Sequence, residues 1–408
     1  MKYAVITFGC RVNQADSLVI EDGLRSHGAV PSSPEQADIV VVNTCSVTAS
    51  ADQAARQTVR RIARVNPDVR VIVTGCYATR QPAEVSALPN VVRVVGNAEK
   101  DDVVASMFGD GDGPCGHSLA PGVAGRTALT LRVQTGCDEA CSYCIIPRTR
   151  GSGRSRPLPA VLDDVRRAVD AGYKEIAITG VHLGSYGRDL DDGSSLSTLV
   201  AALGDWDGDV LFRISSLEPM DCTPAIVDMV AGSARLAPHF HLPLQHGCDE
   251  MLRAMRRPYT PAFYRELIDR VRTALPDAAI GSDIIVGFPG ESDSHFEELR
   301  TLLEELPLTH LHVFPYSDRP GTEASRMFPK VDGRVVRERG RLVREIGERM
   351  SRRFKASQEG RRLRALTVDD GQSVVTGNYL KLRLNVRQAR NAWVGIRVED
   401  ESHATLDS

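Results

Sequence analysis

The sequence predicts an α/β protein in three parts: an N-terminal parallel α/β domain, a central partial (β/α) TIM-like barrel, and a small C-terminal β-barrel. Three observations carry this expectation. Short apolar runs alternate with helical patterns through the first 350 or so residues. The apolar runs end in polar, glycine-bearing or cysteine-bearing exits. Beyond residue 357 the helical period gives way to short strand-like runs separated by turn residues.

Composition bounds the problem before any motif does. A chain of 408 residues is too long for one ordinary domain. Charged residues are 25% and apolar residues 42%, an ordinary soluble balance. The net charge is −3, so any affinity for nucleic acid must come from local patches. No apolar run approaches the roughly 18 residues of a membrane span, and the opening MKYAVITFGC reads as a first strand rather than a signal peptide. A cytoplasmic protein without a membrane partner is expected. Nine cysteines in such a chain point to metal or catalysis rather than to disulfides.

Residues 1–100 read as the first domain. Residues 3–7 form a strand leading into Gly9-Cys10, followed by a helical pattern with Leu18, Ile20 and Leu24 apolar. Residues 39–42 are a continuous apolar run, as in a buried parallel strand, and end at Asn43-Thr44-Cys45. A helix over 51–65 leads to a third strand at 69–73, which ends at Thr74-Gly75-Cys76. Ligands of open α/β sheets bind beyond the carboxyl ends of the strands. Cys10, Cys45 and Cys76 therefore gather at one edge, although they are far apart in sequence. Three inert core cysteines are the plainer reading; three ligands of an iron–sulfur cluster with one open iron are the chemical one.

Residues 101–126 read as a linker, dense in Gly and Asp, with Cys115 a free thiol. Residues 127–350 form the second domain, with strands expected at 129–133, 175–179, 210–214, 239–244, 279–286 and 310–314. The working face of such a barrel lies at the strand C-termini. The first of these strands enters the loop QTGCDEACSYCIIPRTRGSGRSRP, where Cys137, Cys141 and Cys144 follow a C-x3-C-x2-C spacing. One short loop then aims three thiolates at one point and leaves an iron open for a substrate or cofactor. A structural zinc site wants four ligands, with Cys115 and His117 the nearest further donors. Arg148, Arg150, Arg154 and Arg156 make the exit of the loop basic. An Arg-rich run over 333–364 is either a solvated helix surface or a phosphate-contacting stripe. Strands at 365–368, 379–386 and 393–398 complete a small β module over 357–408.

The two cysteine triads stand among further matching pieces: FGCRVNQADS, VVNTCSVT, VTGCYA, CDEACSYCIIPRTRG, RISSLEP, LRAMRRPYT, DIIVGFPGE and HVFPYSDRPGT, in order along nearly the whole chain. On these pieces the chain resembles the methylthiotransferases of the radical S-adenosylmethionine (SAM) superfamily. The opening GCRVNQ and the SRP after the cluster loop look closest to the branch acting on N6-threonylcarbamoyladenosine in tRNA. A GCQMN-like opening typifies the isopentenyladenosine branch, and GCPKN the branch acting on a ribosomal protein.

The resemblance implies two 4Fe–4S clusters and SAM as cofactors. Cys137, Cys141 and Cys144 would hold the radical SAM cluster, and Cys10, Cys45 and Cys76 an auxiliary cluster that carries or supplies sulfur. One SAM methylates that sulfur; another is cleaved to a 5′-deoxyadenosyl radical, and adenine C2 receives the methylthio group. Tyr143, Gly180, Ser215, Ser216, Glu218, Gln245, Asp283 and Gly287 are expected to face SAM. Arg148, Arg150, Arg154 and Arg156 are expected to face the substrate, where an arginine pairs with the carboxylate of the threonyl group. The implied partners are tRNA, a low-potential electron donor and a sulfur source, and the C-terminal module resembles a TRAM domain. His246 and Cys248 depart from the family pattern and read as ordinary substitutions, and Cys222 as a buried thiol. Methylthiolation of isopentenyladenosine or of a ribosomal protein side chain, and a non-enzymatic metal-containing RNA-binding protein, are the competing functions.

Overall fold

The computed structural model describes residues 1–108, 120–122 and 126–407. The N-terminal unit runs β1 (Lys2–Thr7), α1 (Arg11–Ser26), β2 (Val30–Pro31), β3 (Ile39–Thr44), α2 (Ala49–Val65), β4 (Arg70–Gly75), α3 (Cys76–Arg80), α4 (Pro82–Ser86), β5 (Val91–Val95) and α5 (Ala105–Phe108). Its five strands are parallel in the order β2-β1-β3-β4-β5. All six residues of β3 are buried, which is why it reads as an unbroken apolar run at the middle of the sheet. Thr48 caps α2, its Oγ1 accepting from the Ala51 amide at 3.3 Å. The sequence reading missed β2 and β5. Both lie at sheet edges, and β5 exposes Val92 and Arg93, so its pattern does not look buried.

The expected linker starts later than residue 101. Val103 is fully buried and packs with Ile20, Leu24, Val104 and Met107. Gly23 of α1 lets Val104 approach; a Cβ there would lie 2.9 Å from it. Cys115 and His117, weighed above as spare ligands, fall outside the described residues.

The central unit runs β6 (Leu129–Arg132), β7 (Gln134–Thr135), α6 (Ile146–Arg150), β8 (Arg154–Ser155), α7 (Leu158–Asp170), β9 (Glu175–Thr179), α8 (Leu196–Gly204), β10 (Leu211–Ile214), α9 (Pro224–Gly232), β11 (His239–His241), α10 (Asp249–Ala254), α11 (Pro261–Ala274), β12 (Ala279–Val286), α12 (Asp293–Glu305), β13 (His310–Pro315) and α13 (Gly333–Ala356). Two parallel three-stranded sheets, β10-β9-β6 and β11-β12-β13, meet through the bridges Phe212–Leu236 and Ser216–His241. The result is a six-stranded open barrel, with each strand where the sequence placed it except that β11 ends at His241, short of the expected 244. Strand side chains alternate. Ile176, Ile178, Phe212, Ile214, Phe240, Ile280, Ile284 and Val286 face outward into the helix-covered core. Arg213, Ser215, His239, His241, Asp283, His310 and His312 occupy the alternate, inward positions.

The C-terminal unit is a closed barrel of β14 (Arg362–Val368), β15 (Ser373–Thr376), β16 (Lys381–Leu384), β17 (Trp393–Val398) and β18 (His403–Leu406), in the order β14-β15-β16-β18-β17. The sequence reading found three of these strands and overran one. Residue 379 is not in a strand: Tyr379 sits in the β15–β16 turn at φ 66°. β15 and β18 have four residues each, too few for alternation to stand out. No helix among the described residues is long and apolar enough to cross a membrane.

Two buried ion networks join the first unit to the second. Asp16 of α1 accepts from Lys100 at 2.7 Å, Arg132 at 2.6 Å and Arg150 at 3.0 Å. Asp52 of α2 accepts from Arg80 at 2.6 Å and Arg319 at 2.8 Å. The C-terminal barrel is tied on by Arg213, which donates to the carbonyls of Gly377 at 2.9 Å and Thr376 at 3.3 Å.

Candidate active site at two cysteine triads

β1, β3 and β4 are adjacent and parallel, so their exits are neighbours. Cys10 precedes α1, Cys45 follows β3, and Cys76 opens α3. Cys10 is exposed, whereas Cys45 and Cys76 are buried. Burial pushes the Cys45 thiol up to about 11, and the nearby Cys10 and Cys76 add to this. The Val47 amide points at Cys45 Sγ at 3.5 Å, and Asn97 Nδ2 at Cys76 Sγ at 3.6 Å.

Gly9 makes room for this triad. Its φ is +92°, and a Cβ there would lie 2.6 Å from both Cβ and Sγ of Cys45. Gly9→Ala is therefore expected to displace Cys45 from the strand exit and, if this triad ligates iron, to lower the iron content of the protein without disturbing the loop triad. Iron counting on the purified variant checks it; a full complement of iron would show that the strand exit tolerates the methyl group.

The second triad lies in the loop between β7 and α6. Burial pushes the Cys144 thiol up to about 12, reinforced by Cys141 and Cys137. The Ile146 amide points at Cys144 Sγ at 3.4 Å, and the buried Arg257 donates to Cys141 Sγ at 3.2 Å. Arg257 also pairs with Glu218, whose carboxylate thereby stands against the loop. His182 lies against Cys137 and bonds Asp221 at 2.8 Å. Burial disfavours its charged form, but those two partners override it and lift the imidazole to about 10.

Both triads fit a cluster better than a single ion. Among the described residues, the only three or more metal-ligating side chains with donor atoms within 4.8 Å of one another are His241, Asp283 and His312. The thiols of each triad are wider apart than one zinc ion would hold them. Burial disfavours a free thiolate at Cys45, Cys141 and Cys144, and N–H groups point at the sulfurs of Cys45, Cys76, Cys141 and Cys144. Cysteine thiolates so placed suit a polynuclear iron–sulfur cluster.

The triads share a wall. α6, which follows Cys144, packs on α3, which begins with Cys76, and Asn97 bridges them by donating to the Thr149 carbonyl at 2.7 Å. A cavity of about 210 Å³ opens between the units, lined by Val47 and Thr48 beyond Cys45 and by Tyr143, Cys144, Gln245 and Asp283. Three residues expected to face SAM thus meet in one place. Gln245 has φ 68°, unusual for a side-chain-bearing residue; its amide and carbonyl pair with Asp283 and Ile285 of β12. Ser215 and Ser216 lie at the exit of β10, and Gly180 packs on Gln134 at the exit of β9. Gly287 is turned elsewhere: its amide donates to Glu291 at 2.7 Å, and a Cβ would lie 2.4 Å from Val336 of α13.

Four side chains of this site were not singled out from sequence: Arg257, His182, His241 and His312. Asp283 bonds His241 at 2.9 Å and lies 3.4 Å from His312. Burial disfavours the Asp283 carboxylate, but the two imidazoles hold its pKa well below the usual range. The available signal was spacing: His239/His241 and His310/His312 are i, i+2 pairs, each pair on one face of its strand, and their strands β11 and β13 flank the β12 strand that carries Asp283.

The structure divides the four arginines after the cluster loop. Arg150 is buried and engaged by Asn13, Asp16 and Cys76. Arg156 pairs with Asp164 at 2.5 Å. Arg148 and Arg154 are exposed, the former lying over Gly321. The Arg-rich run is similarly sorted. Arg339 is buried between Glu291 and Asp293, and Arg349, Arg361, Arg362 and Arg364 find acids on other elements, at Glu304, Asp277, Asp407 and Asp209. Arg352 and Arg353 remain exposed, with no acidic partner among the described residues. His246 is buried, its Nδ1 accepting from the Cys248 amide at 3.1 Å, while Cys248 packs with Met251, Met255 and Phe288. Cys222 is buried in the barrel core.

Comparison with known proteins agrees with this geometry. Residues 2–96 match the model of the Uncharacterized protein family UPF0004, and residues 131–303 that of the Radical SAM superfamily. The chain is 34% identical over 400 residues, 94% of its length and 96% of the relative's, to the threonylcarbamoyladenosine tRNA methylthiotransferase MtaB of Aquifex aeolicus. It is also 34% identical over 366 residues, 86% of its length and 78% of the relative's, to the tRNA-2-methylthio-N(6)-dimethylallyladenosine synthase of Chloroflexus aurantiacus. Among solved structures it resembles the radical S-adenosylmethionine methyltransferase TsrM of Kitasatospora setae, with TM-score 0.58 and 14% identity over 79% of this chain and 73% of that one. That likeness concerns the fold.

Proposed function

The chain belongs to the radical SAM tRNA methylthiotransferase family, and from that premise we propose that it adds a methylthio group to C2 of N6-threonylcarbamoyladenosine at position 37 of tRNA, beside the anticodon. The observation that supports this is the shared wall: α3, which begins with Cys76, packs on α6, which follows Cys144, and one cavity is lined by Cys144 of the loop triad and by Val47 and Thr48, the segment just after Cys45. One cluster would serve for SAM chemistry alone; a second beside the same cavity suits delivery of sulfur. We assign Cys137, Cys141 and Cys144 to the SAM-binding cluster and Cys10, Cys45 and Cys76 to the auxiliary one.

When bound, reduced iron–sulfur clusters and SAM supply the one-electron chemistry that adenine C2–H, neither acidic nor a leaving group, requires. The chain's own residues do the rest. Arg257, paired with Glu218, places a positive charge against Cys141, which stabilises the thiolate needed for ligation. His182, held by Asp221, does the same for Cys137. On this reading Tyr143, Gln245 and Asp283, which line the cavity, would border SAM and the target base, and Gly180, Ser215 and Ser216 at neighbouring strand exits would extend that border. A base in a loop is reached by splaying it out, without opening a helix. Arg148, Arg154, Arg352 and Arg353 are free to meet RNA phosphates, and the TRAM-like barrel extends that surface. On this reading a low-potential electron donor and a sulfur source are further partners.

The test is turnover of two purified tRNAs by the reconstituted enzyme, one bearing threonylcarbamoyladenosine and one isopentenyladenosine, followed by nucleoside mass spectrometry. A pocket built to pair a polar group rejects an analogue without it by a factor on the order of 10⁴. Methylthiolation of the threonylcarbamoyl form is expected, with little of the other. Preferential turnover of the isopentenyl form would overturn the base assignment and leave the radical chemistry standing.

A further inference from the structure

Arg11 directly follows Cys10 and opens α1, yet its side chain turns away from the N-terminal unit into the open barrel. Its guanidinium reaches Ser215 Oγ at 3.5 Å and donates to the Tyr379 hydroxyl at 3.1 Å. Tyr379 is fixed from below, with its ring 4.7 Å from the Arg213 guanidinium and 4.9 Å from the His239 ring. Three units thus converge on one cation: the N-terminal unit supplies it, the central barrel the wall, and the C-terminal barrel the prop.

Among the described residues this cation has no carboxylate partner on the inner face. Arg213 pairs with Glu175 at 3.0 Å, and Asp283 bonds His241 at 2.9 Å and lies 3.4 Å from His312. Burial pushes His310 down to about 4 and His239 well below its usual value, so neither adds charge near neutrality. Among the described residues no carboxylate pairs with Arg11; both its partners are neutral hydroxyls. A guanidinium held in a barrel and short of a counter-ion is a receptor for an anion, and its planar fork suits a carboxylate.

We propose that Arg11 binds the carboxylate of the substituent on the target base, and so selects the threonylcarbamoyl form. This rests on the function proposed above and names the residue that reads the substrate. The covalent structure of the base agrees. N1 of adenine lies between C2 and C6, and in the rotamer whose carbamoyl N–H bonds N1 the group on N6 lies along the same edge of the base as C2. The four arginines after the cluster loop are differently placed: two are spent in ion pairs and two lie on the outer surface.

The experiment compares two anticodon stem-loop RNAs, one bearing threonylcarbamoyladenosine and one bearing its carboxamide, in which only the charge is removed. Equilibrium binding to the cluster-loaded protein and kcat/KM are measured for wild type, Arg11→Gln and Arg11→Lys. Iron content and melting temperature serve as folding controls. A charge-assisted pair gives a preference for the acid of about tenfold to a hundredfold in wild type. Arg11→Gln should abolish that preference by weakening the acid alone, and Arg11→Lys should restore part of it. Retention of the acid-over-amide ratio in Arg11→Gln overturns the proposal. Equal loss on both RNAs also overturns it, and assigns Arg11 to phosphate or to SAM. A wild type that favours isopentenyl RNA over both is a distinct result: it removes the substrate assignment itself, and this inference with it.

Discussion

Replacing Cys10, Cys45 and Cys76 together by alanine is expected to leave SAM cleavage intact and to abolish methylthiolated product. The two triads sit on different elements: one on three strand exits of the N-terminal sheet, the other on a single loop of the barrel. The loop triad has its own support in Arg257, His182 and the Ile146 amide, of which none comes from the N-terminal unit. Losing the first triad therefore need not disturb the second. Anaerobically reconstituted wild type should hold about eight irons, from two four-iron clusters, and the variant about half. 5′-Deoxyadenosine is measured in the same samples as modified nucleoside. A wild type with near four irons would sink the two-cluster assignment. Loss of SAM cleavage in a folded variant that keeps its loop cluster would contradict the division of roles.

Asp16→Asn is expected to cost about 3–5 kcal/mol of stability, because removing one partner of a buried ion network strands the others. Asp16 is buried and accepts from three cations, of which Lys100 and Arg150 are themselves buried. Arg150 also reaches Cys76, so the variant should lose iron at the N-terminal triad as well. The same carboxylate sets an acid limit. Burial opposes its charge, but Lys100, Arg150 and Arg132 prevail and bring its pKa down to about 2. A carboxyl depressed in the folded state contributes stability that is full above its unfolded value, about 3.9. That stability is lost as pH falls from there through about 2. Denaturant unfolding at a series of pH values checks this. Wild type should lose stability faster than Asp16→Asn across that window; parallel curves would show that the network carries no net linkage.

Much of this was legible in the chain because it is local. The C-x3-C-x2-C loop is one contiguous turn, so its three thiols meet whatever the rest of the fold does. The buried strands of both parallel sheets announce themselves by unbroken apolar runs, and the recurrence of cysteine at three strand exits located the second triad. Edge strands such as β5 and four-residue strands such as β15 and β18 escaped, because a half-exposed or very short run carries too few residues for its period to show.

The arginines mark the boundary of such reasoning. Sequence by itself determined the positions of the two cysteine triads along the chain, the barrel and the family, since those depend on spacing within one element and on the order of elements. It did not determine which cations are free. Arg148, Arg150, Arg154 and Arg156 look alike in sequence, and only tertiary structure distributes their partners: Arg150 meets Asp16 from 134 positions away, and Arg156 meets Asp164 on the next helix. Arg11 gave no sign of its place, because its surroundings come from Ser215 and Tyr379, 204 and 368 positions along the chain. A side chain's charge is written in its own letter, but whether that charge is already answered depends on neighbours that only packing brings near.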